Sequence, residues 1–309
     1  MRPALILAVV LGCDPTDPPP PDPPIDAPPF TDGEVDEDAP PGLEGGSLSV
    51  TWRHGSPSCA SNTDPELQVH AYNATTHILR QNKCDTFEAP FLYVLQGATA
   101  ALLVDTGALT TTTVRDTVRD LVGTRTLIVT HSHAHGDHTA SDNRFTGQPV
   151  TMLVAPTRTA VQSAFGITTW PTSAGTIDLG GRVLDVLAIP GHEPAHIAIY
   201  DRQTGLLLTG DTLYPGLLFI NDWATYRTSI ARLADFVRTH PVTHVLGAHV
   251  EMTSTPGQVY PYGTTYQPNE HVLQLAASHV LDLGAALTTL GATPPSQRVA
   301  YDHFIIDPP

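Results

Sequence analysis

The run TRTLIVTHSHAHGDH (residues 124–138) decides the reading: a short β-forming segment opens directly into eight residues of which four are histidine. Imidazole and carboxylate are the donors that zinc accepts where thiolates are absent. In an extended or turning backbone, side chains two residues apart project to the same side, so His133 and His135 can grip one metal. Gly136 permits a tighter turn after them, which lets Asp137 and His138 reach a second metal nearby. A histidine-rich surface loop would show the same composition, but an apolar strand leading straight into the cluster argues for a built site.

Upstream, FLYVLQG (91–97) and TAALLVDTG (99–107) read as strands, rich in β-formers and bounded by glycine. Between the second of these and the histidine run, TTTVRDTVRDLVG (111–123) places Val114, Val118, Leu121 and Val122 on one helical face. Strand, helix and strand in that order predict a buried sheet covered by helices. Later strands are expected at 150–155, 182–191, 196–201, 205–211 and 243–249, and helices near 225–239 and 270–284. No internal sequence repeat is evident. Three of the later segments deliver further donors: His192 after Pro190-Gly191, Asp211 after GLLLTG, and His249 after THVLGA. One histidine after a strand is more often structural than a ligand; four strand ends that all supply histidine or aspartate form a pattern.

In motif and order, His133-x-His135-x-Asp137-His138, Pro-Gly-His192, Gly-Asp211-Thr and Gly-Ala-His249 resemble the metallo-β-lactamase-fold hydrolases, over roughly residues 85–250. The segment Leu103-Val104-Asp105-Thr106-Gly107 is similar to a strand end of the same family. The resemblance implies an α/β protein, a four-layer αβ/βα sandwich with two mixed sheets packed face to face, occupying residues 46–309. It implies two Zn2+, with iron or manganese as alternatives. His133, His135 and His192 would bind the first metal, Asp137, His138 and His249 the second, and Asp211 would bridge them. Asp105 and His196 would stand behind the ligands, where hydrogen bonds orient them. A water shared by two cations loses a proton near neutral pH. The expected activity is therefore a dinuclear-zinc hydrolase that cleaves an ester, lactone, thioester or phosphoester bond through a metal-bridging hydroxide, with Asp137 orienting the nucleophile. Tyr214 resembles the tyrosine of acyl-homoserine lactone lactonases that assists at the carbonyl oxygen, a core tyrosine being the alternative. His131 is expected to point away from the metals, and His240 and His244 to be surface or packing residues.

The substrate is a small molecule whose identity the residues leave open. Asp211 speaks against β-lactam hydrolysis, since lactamases of this fold generally lack it. A single basic residue after His249, Arg298, speaks against glutathione thioesters. The loop PGLLFINDWATY (215–226) and Tyr260, Tyr262 and Tyr266 would line an apolar pocket or belong to the core. A mononuclear-iron oxidoreductase of the persulfide dioxygenase type and β-lactam hydrolysis are the alternatives, and a non-catalytic scaffold is disfavoured by the complete donor set.

Charge and cysteine usage bound the remainder. The formal net charge is −16, yet ten acidic residues, no basic ones and eleven prolines lie between Asp14 and Glu44. The rest carries only −6 and a single lysine, Lys83, so no basic stripe is offered to nucleic acid. MRPALILAVVLGC (1–13) has the layout of a secretory signal, and its VLGC ending resembles a bacterial lipobox with Cys13 as the lipidated residue. Residues 1–12 are expected to be removed, and 13–45 to be an acidic, proline-rich tether with too little apolar surface to fold. The protein is expected to be exported and to meet a membrane only through that anchor. Cys59 and Cys84 remain, and an even pair in an exported chain suggests one disulfide.

Overall fold

The computed structural model describes residues 42–149 and 151–309. The expected signal segment, Cys13 and all but the last residues of the expected tether lie outside the described residues. In chain order the elements are β1 (Leu67–Asn73), β2 (Thr76–Gln81), β3 (Phe91–Gln96), β4 (Ala100–Val104), α1 (Thr113–Val122), β5 (Thr126–Thr130), α2 (Gly136–Thr139), α3 (Asp142–Phe145), β6 (Thr151–Leu153) and α4 (Arg158–Phe165). There follow β7 (Gly175–Asp178), β8 (Val183–Ala188), β9 (Ile197–Asp201), β10 (Leu206–Gly210), β11 (Leu217–Phe219), α5 (Trp223–Thr239), β12 (His244–Gly247), β13 (Gln274–Leu275), α6 (Ala277–Leu290), β14 (Val299–Ala300) and β15 (Ile305–Asp307).

Two six-stranded mixed sheets dominate, in the orders β1-β2-β3-β4-β5-β6 and β13-β12-β10-β9-β8-β7. Side-chain alternation along the strands builds four layers. Tyr93, Leu95, Leu102 and Val104 of the first sheet face Leu184, Ile197, Ile199 and Leu208 of the second in a shared core. The intervening positions Leu92, Val94, Ala101 and Leu103 pack on Val114, Val118 and Val122 of α1. On the far side Ala198, Tyr200 and Leu207 pack on α5 and α6 through residues such as Ile230, Leu233 and Leu283. A sheet covered on both faces needs apolar residues at every position. β3, β4, β9 and β10 are accordingly buried throughout.

The two sheets repeat one another in topology. In the first, β2, β3 and β4 are antiparallel and α1 crosses over to a parallel β5. In the second, β8, β9 and β10 are antiparallel and α5 crosses over to a parallel β12. The halves are stitched reciprocally at one end: Phe91 N–H donates to Ala248 O over 2.7 Å, and Ile197 N–H to Ser132 O over 2.8 Å. The chain segments that leave β4, β5, β10 and β12 therefore converge on a single place.

The structure refines the expected elements. The helix expected near 270–284 begins only at Ala277 and runs to Leu290, because Gln274–Leu275 first pairs with β12. The loop after Asp211 supplies β11, which joins β15 and β14 in a third small sheet, and Leu218, Ile220, Trp223 and Tyr226 are core residues. β1, β2, β7 and α4 were not expected. Glu44 N–H donates to Gln203 O over 2.7 Å. Cys59 and Cys84 form a disulfide. No helix among the described residues is long and apolar enough to cross a membrane.

Candidate metal centre

Seven donors meet where those strand ends converge. His133, His135, His192 and Asp211 form one group, and Asp137, His138, Asp211 and His249 a second, so Asp211 belongs to both. His133 lies in the bend after β5 and His135 in the extended residue that ends it, and α2 begins immediately after His135. That change of backbone puts Asp137 and His138 in the first turn of a short helix, aimed at the second group. Asp211 divides its oxygens between the groups. Oδ2 lies 3.6 Å from His133 Nε2 and 3.7 Å from His192 Nε2, while Oδ1 lies 3.4 Å from both His138 Nε2 and His249 Nε2. Asp137 Oδ2 is 3.3 Å from His138 Nε2 and 3.2 Å from His249 Nε2.

The opposite face of each ring fixes its tautomer. His138 Nδ1 donates to Asp105 Oδ2 (2.9 Å), His192 Nδ1 to Phe219 O (2.7 Å) and His249 Nδ1 to Glu88 O (3.2 Å). Ser132 Oγ donates to Asp105 Oδ2 and so accepts from His133 Nδ1 at 3.0 Å. Four Nε2 lone pairs are thereby turned inward. His133 Nε2, His192 Nε2 and His135 Nδ1 lie 2.9 to 3.2 Å from one another. Lone pairs at such separations repel unless they share a cation or a proton. His138 Nε2 and Asp211 Oδ1 are buried without a hydrogen-bond partner, which costs free energy unless something else engages them. The donor set fits two divalent cations that prefer imidazole and carboxylate.

Electrostatics point the same way. Burial pushes His133 and His196 well below the ordinary imidazole value, with His138 and His192 respectively adding to it. Burial opposes charge on Asp211 too, but His138, His249 and His133 outweigh it and hold the carboxyl well below the usual range. At His249 burial is outweighed by Asp211 and Asp137, which push the ring up to about 9. The second group thus favours a bound positive charge.

Asp105 and His196 stand behind the ligands. Asp105 also accepts from Ser132 N–H at 2.7 Å. His196 is stacked on His133, with ring centroids 4.8 Å apart, and accepts a hydrogen bond from Asp211 N–H. His131 is turned away, bonded to Val154 O and Asp142. His240 stacks on Phe236. Tyr214 is buried beside the centre, its ring centroid 5.6 Å from that of His249, and its hydroxyl donates to Leu217 O and meets Glu251 Oε2. Sequence reasoning missed Ser132 and the carbonyls of Glu88 and Phe219. Backbone acceptors carry no side-chain signal, and Ser132 could have been found only as the residue between two histidines. Tyr260 and Tyr262 line a small cavity of about 30 Å³ with Lys83, Glu88 and Glu251.

Residues 85–249 match the model of the metallo-beta-lactamase superfamily, and the chain belongs to that family. It is 28% identical over 109 residues to human acyl-coenzyme A thioesterase MBLAC2, covering 35% of each chain. It is 30% identical over 152 residues to the hydroxyacylglutathione hydrolase of Aeromonas hydrophila, covering 48% of this chain and 57% of that one. The chain thus spans about a third to just over half the length of these relatives. Among solved structures, a metallo-beta-lactamase from Pontibacter korlensis aligns with a TM-score of 0.49 at 16% identity, covering 72% of this chain and 99% of that one.

Proposed function

We propose that the protein is a dinuclear-zinc hydrolase that cleaves a carboxylic ester, lactone or thioester. The observation that carries the reading is the shared Asp211, whose two oxygens face two separate imidazole groups. His133, His135 and His192 would hold one ion and Asp137, His138 and His249 the other. Bound zinc would supply Lewis acidity and acidify water near neutral pH. The chain's own part is to fix the donors: Asp105, Ser132, Phe219 O and Glu88 O hold the rings in the tautomer that presents Nε2. Asp137, the most exposed carboxylate of the cluster at 21% of its side chain, would orient an attacking water. The thioesterase and hydrolase names among the relatives support acyl transfer to water over phosphoester cleavage.

His133→Ala and Asp211→Ala should abolish hydrolysis across a panel of lactones, thioesters, aryl esters, β-lactams and phosphodiesters, and reduce bound zinc. Full zinc stoichiometry in both variants would overturn the assignment. One iron and no zinc in the purified protein would favour the oxidoreductase reading instead.

We further propose that residues 46–309 act as a catalytic domain, exported and held at a membrane by lipidated Cys13 through the acidic segment. The VLGC sequence supports this, as does the Cys59–Cys84 disulfide, which persists in oxidising compartments. Metabolic labelling with a fatty-acid probe should mark the wild type and not Cys13→Ala.

A further inference from the structure

A groove of about 630 Å³ adjoins the cluster through His192 and runs between the start of α4 and the start of α5. Trp170, Pro171, Pro190 and Pro194 give it an apolar wall, with polar residues such as Asn221, Thr225 and Thr228 beside them. Two acids share this lining, each held by neutral donors. Asp222 caps α5, accepting from Thr225 N–H at 3.0 Å and Thr225 Oγ1 at 2.6 Å, and Glu193 Oε2 accepts from Ala195 N–H at 2.8 Å. The cation on this lining is Arg158. Its guanidinium lies 5.8 Å from the Trp170 ring centroid, and its one side-chain bond runs from Nε to Gln162 at 3.3 Å. No carboxylate among the described residues pairs with it. An exposed guanidinium that is stacked but unpaired keeps a planar fork of donors for a carboxylate or phosphate.

We propose that this groove receives one arm of the substrate, apolar where it leaves the reacting bond and ending in an anion that Arg158 pairs. The inference rests on the hydrolase reading and narrows its substrate class to acyl compounds with an anionic arm. Apolar contact with Trp170 and the prolines would contribute affinity, and Arg158 would contribute selection. Losing a charged hydrogen bond of this kind costs roughly tenfold in selection.

Two measurements on the zinc-loaded protein test this. The first compares kcat/KM for phenyl hexanoate with that for the phenyl half-ester of adipic acid, of similar length but ending in a carboxylate. Wild type should prefer the half-ester, Arg158→Ala should lose that preference by about tenfold, and Arg158→Lys should recover part of it. The second follows tryptophan fluorescence, assigned through Trp170→Phe, during titration with 3-phenylpropionate, phenyl phosphate and neutral 3-phenylpropanol. The two anions should bind wild type more tightly than Arg158→Ala, and their ranking separates carboxylate from phosphate; the alcohol should not discriminate. Should wild type cleave neither ester yet bind the anions through Arg158, the groove assignment stands and the hydrolase reading fails. Equal binding and an equal ester ratio in wild type and Arg158→Ala would overturn the inference.

Discussion

Replacing Asp105 by asparagine isolates the role of a residue that touches no metal. The carboxylate is buried and accepts three bonds, from Ser132 N–H at 2.7 Å, Ser132 Oγ at 3.0 Å and His138 Nδ1 at 2.9 Å. Asparagine keeps the shape and tolerates the left-handed backbone found there, φ 68°. With its amide oxygen retained by Ser132 N–H, however, it turns an NH2 towards His138 Nδ1–H. Two donors then oppose each other, and the ring escapes by moving its proton to Nε2, the atom needed by the second metal group. Losing one buried charge-assisted bond is worth about 2 kcal/mol, and disrupting the partner of a metal ligand typically costs 10- to 100-fold in affinity. Zinc titration of metal-free protein in competition with a chromophoric chelator resolves the two equivalents. Asp105→Asn should weaken the equivalent bound by His138 by roughly 30-fold, and the other to a smaller extent, because the same NH2 faces Ser132 Oγ, which orients His133. Asp105→Ala should match that weakening and also lose about 1 kcal/mol of folding stability to the left-handed position. Two wild-type affinities in Asp105→Asn would refute the argument.

Other perturbations test the frame that holds the site. Arg182 pairs with Asp201 and also donates to Gln96 O and Thr76 Oγ1 of the opposite sheet. Arg182→Met strands a buried carboxylate and should cost about 3–5 kcal/mol in urea unfolding, a loss below about 1 kcal/mol counting against it. Burial, with Arg80 adding, lowers Lys83 to about 8 from an ordinary 10.5. Between those values the unfolded chain binds more protons, so this lysine's penalty of up to about 3 kcal/mol applies below pH 8 and fades as pH rises. Lys83→Met should therefore stabilise the fold at pH 7, less about 1 kcal/mol for the lost bond to Phe87 O, and gain nothing by pH 10.5; a constant difference across that range would contradict the assignment. The disulfide spans 25 residues, and removing it with paired serine substitutions should cost about 3 kcal/mol in denaturant. No shift in the urea midpoint would show that the loop is ordered without it.

Legibility from sequence followed burial. Strands covered on both faces, such as Phe91–Gln96 and Leu206–Gly210, are mostly apolar runs and match the expected strands within a residue or two. Leu67–Asn73 carries buried residues only at Leu67 and Tyr72, with Gln68 and His70 half-buried and Val69 and Ala71 exposed between them, and shows no clear period. The seven donors were visible because each side chain is an unusual residue at a strand end. What could not be read was direction. Tyr214 sits at a suggestive spacing, but its hydroxyl is turned towards Leu217 O and Glu251, a direction that spacing does not encode.

The topological repeat explains why the centre is asymmetric although its halves are alike. Val104 pairs with Thr130 at the end of the first half, and Gly210 with Gly247 at the end of the second. Each is followed by an aspartate, Asp105 or Asp211. Two residues beyond the paired partners stand Ser132 and His249. In the first half the left-handed residue is the aspartate itself, φ 68°; in the second it is the glycine before it, φ 50°. A reversal displaced by one residue redirects the side chain that follows, as a one-residue slip does in a strand. Asp105 consequently turns onto Ser132 and the back of His138, while Asp211 turns into the cluster between the two imidazole groups. A side chain at residue 210 would meet Ser132 and His196 at under 3 Å, so glycine is required there by both space and backbone. Gly210→Ala should therefore displace Asp211 and lower zinc stoichiometry towards one per chain, and a variant that still binds two would show that this turn does not set the bridge.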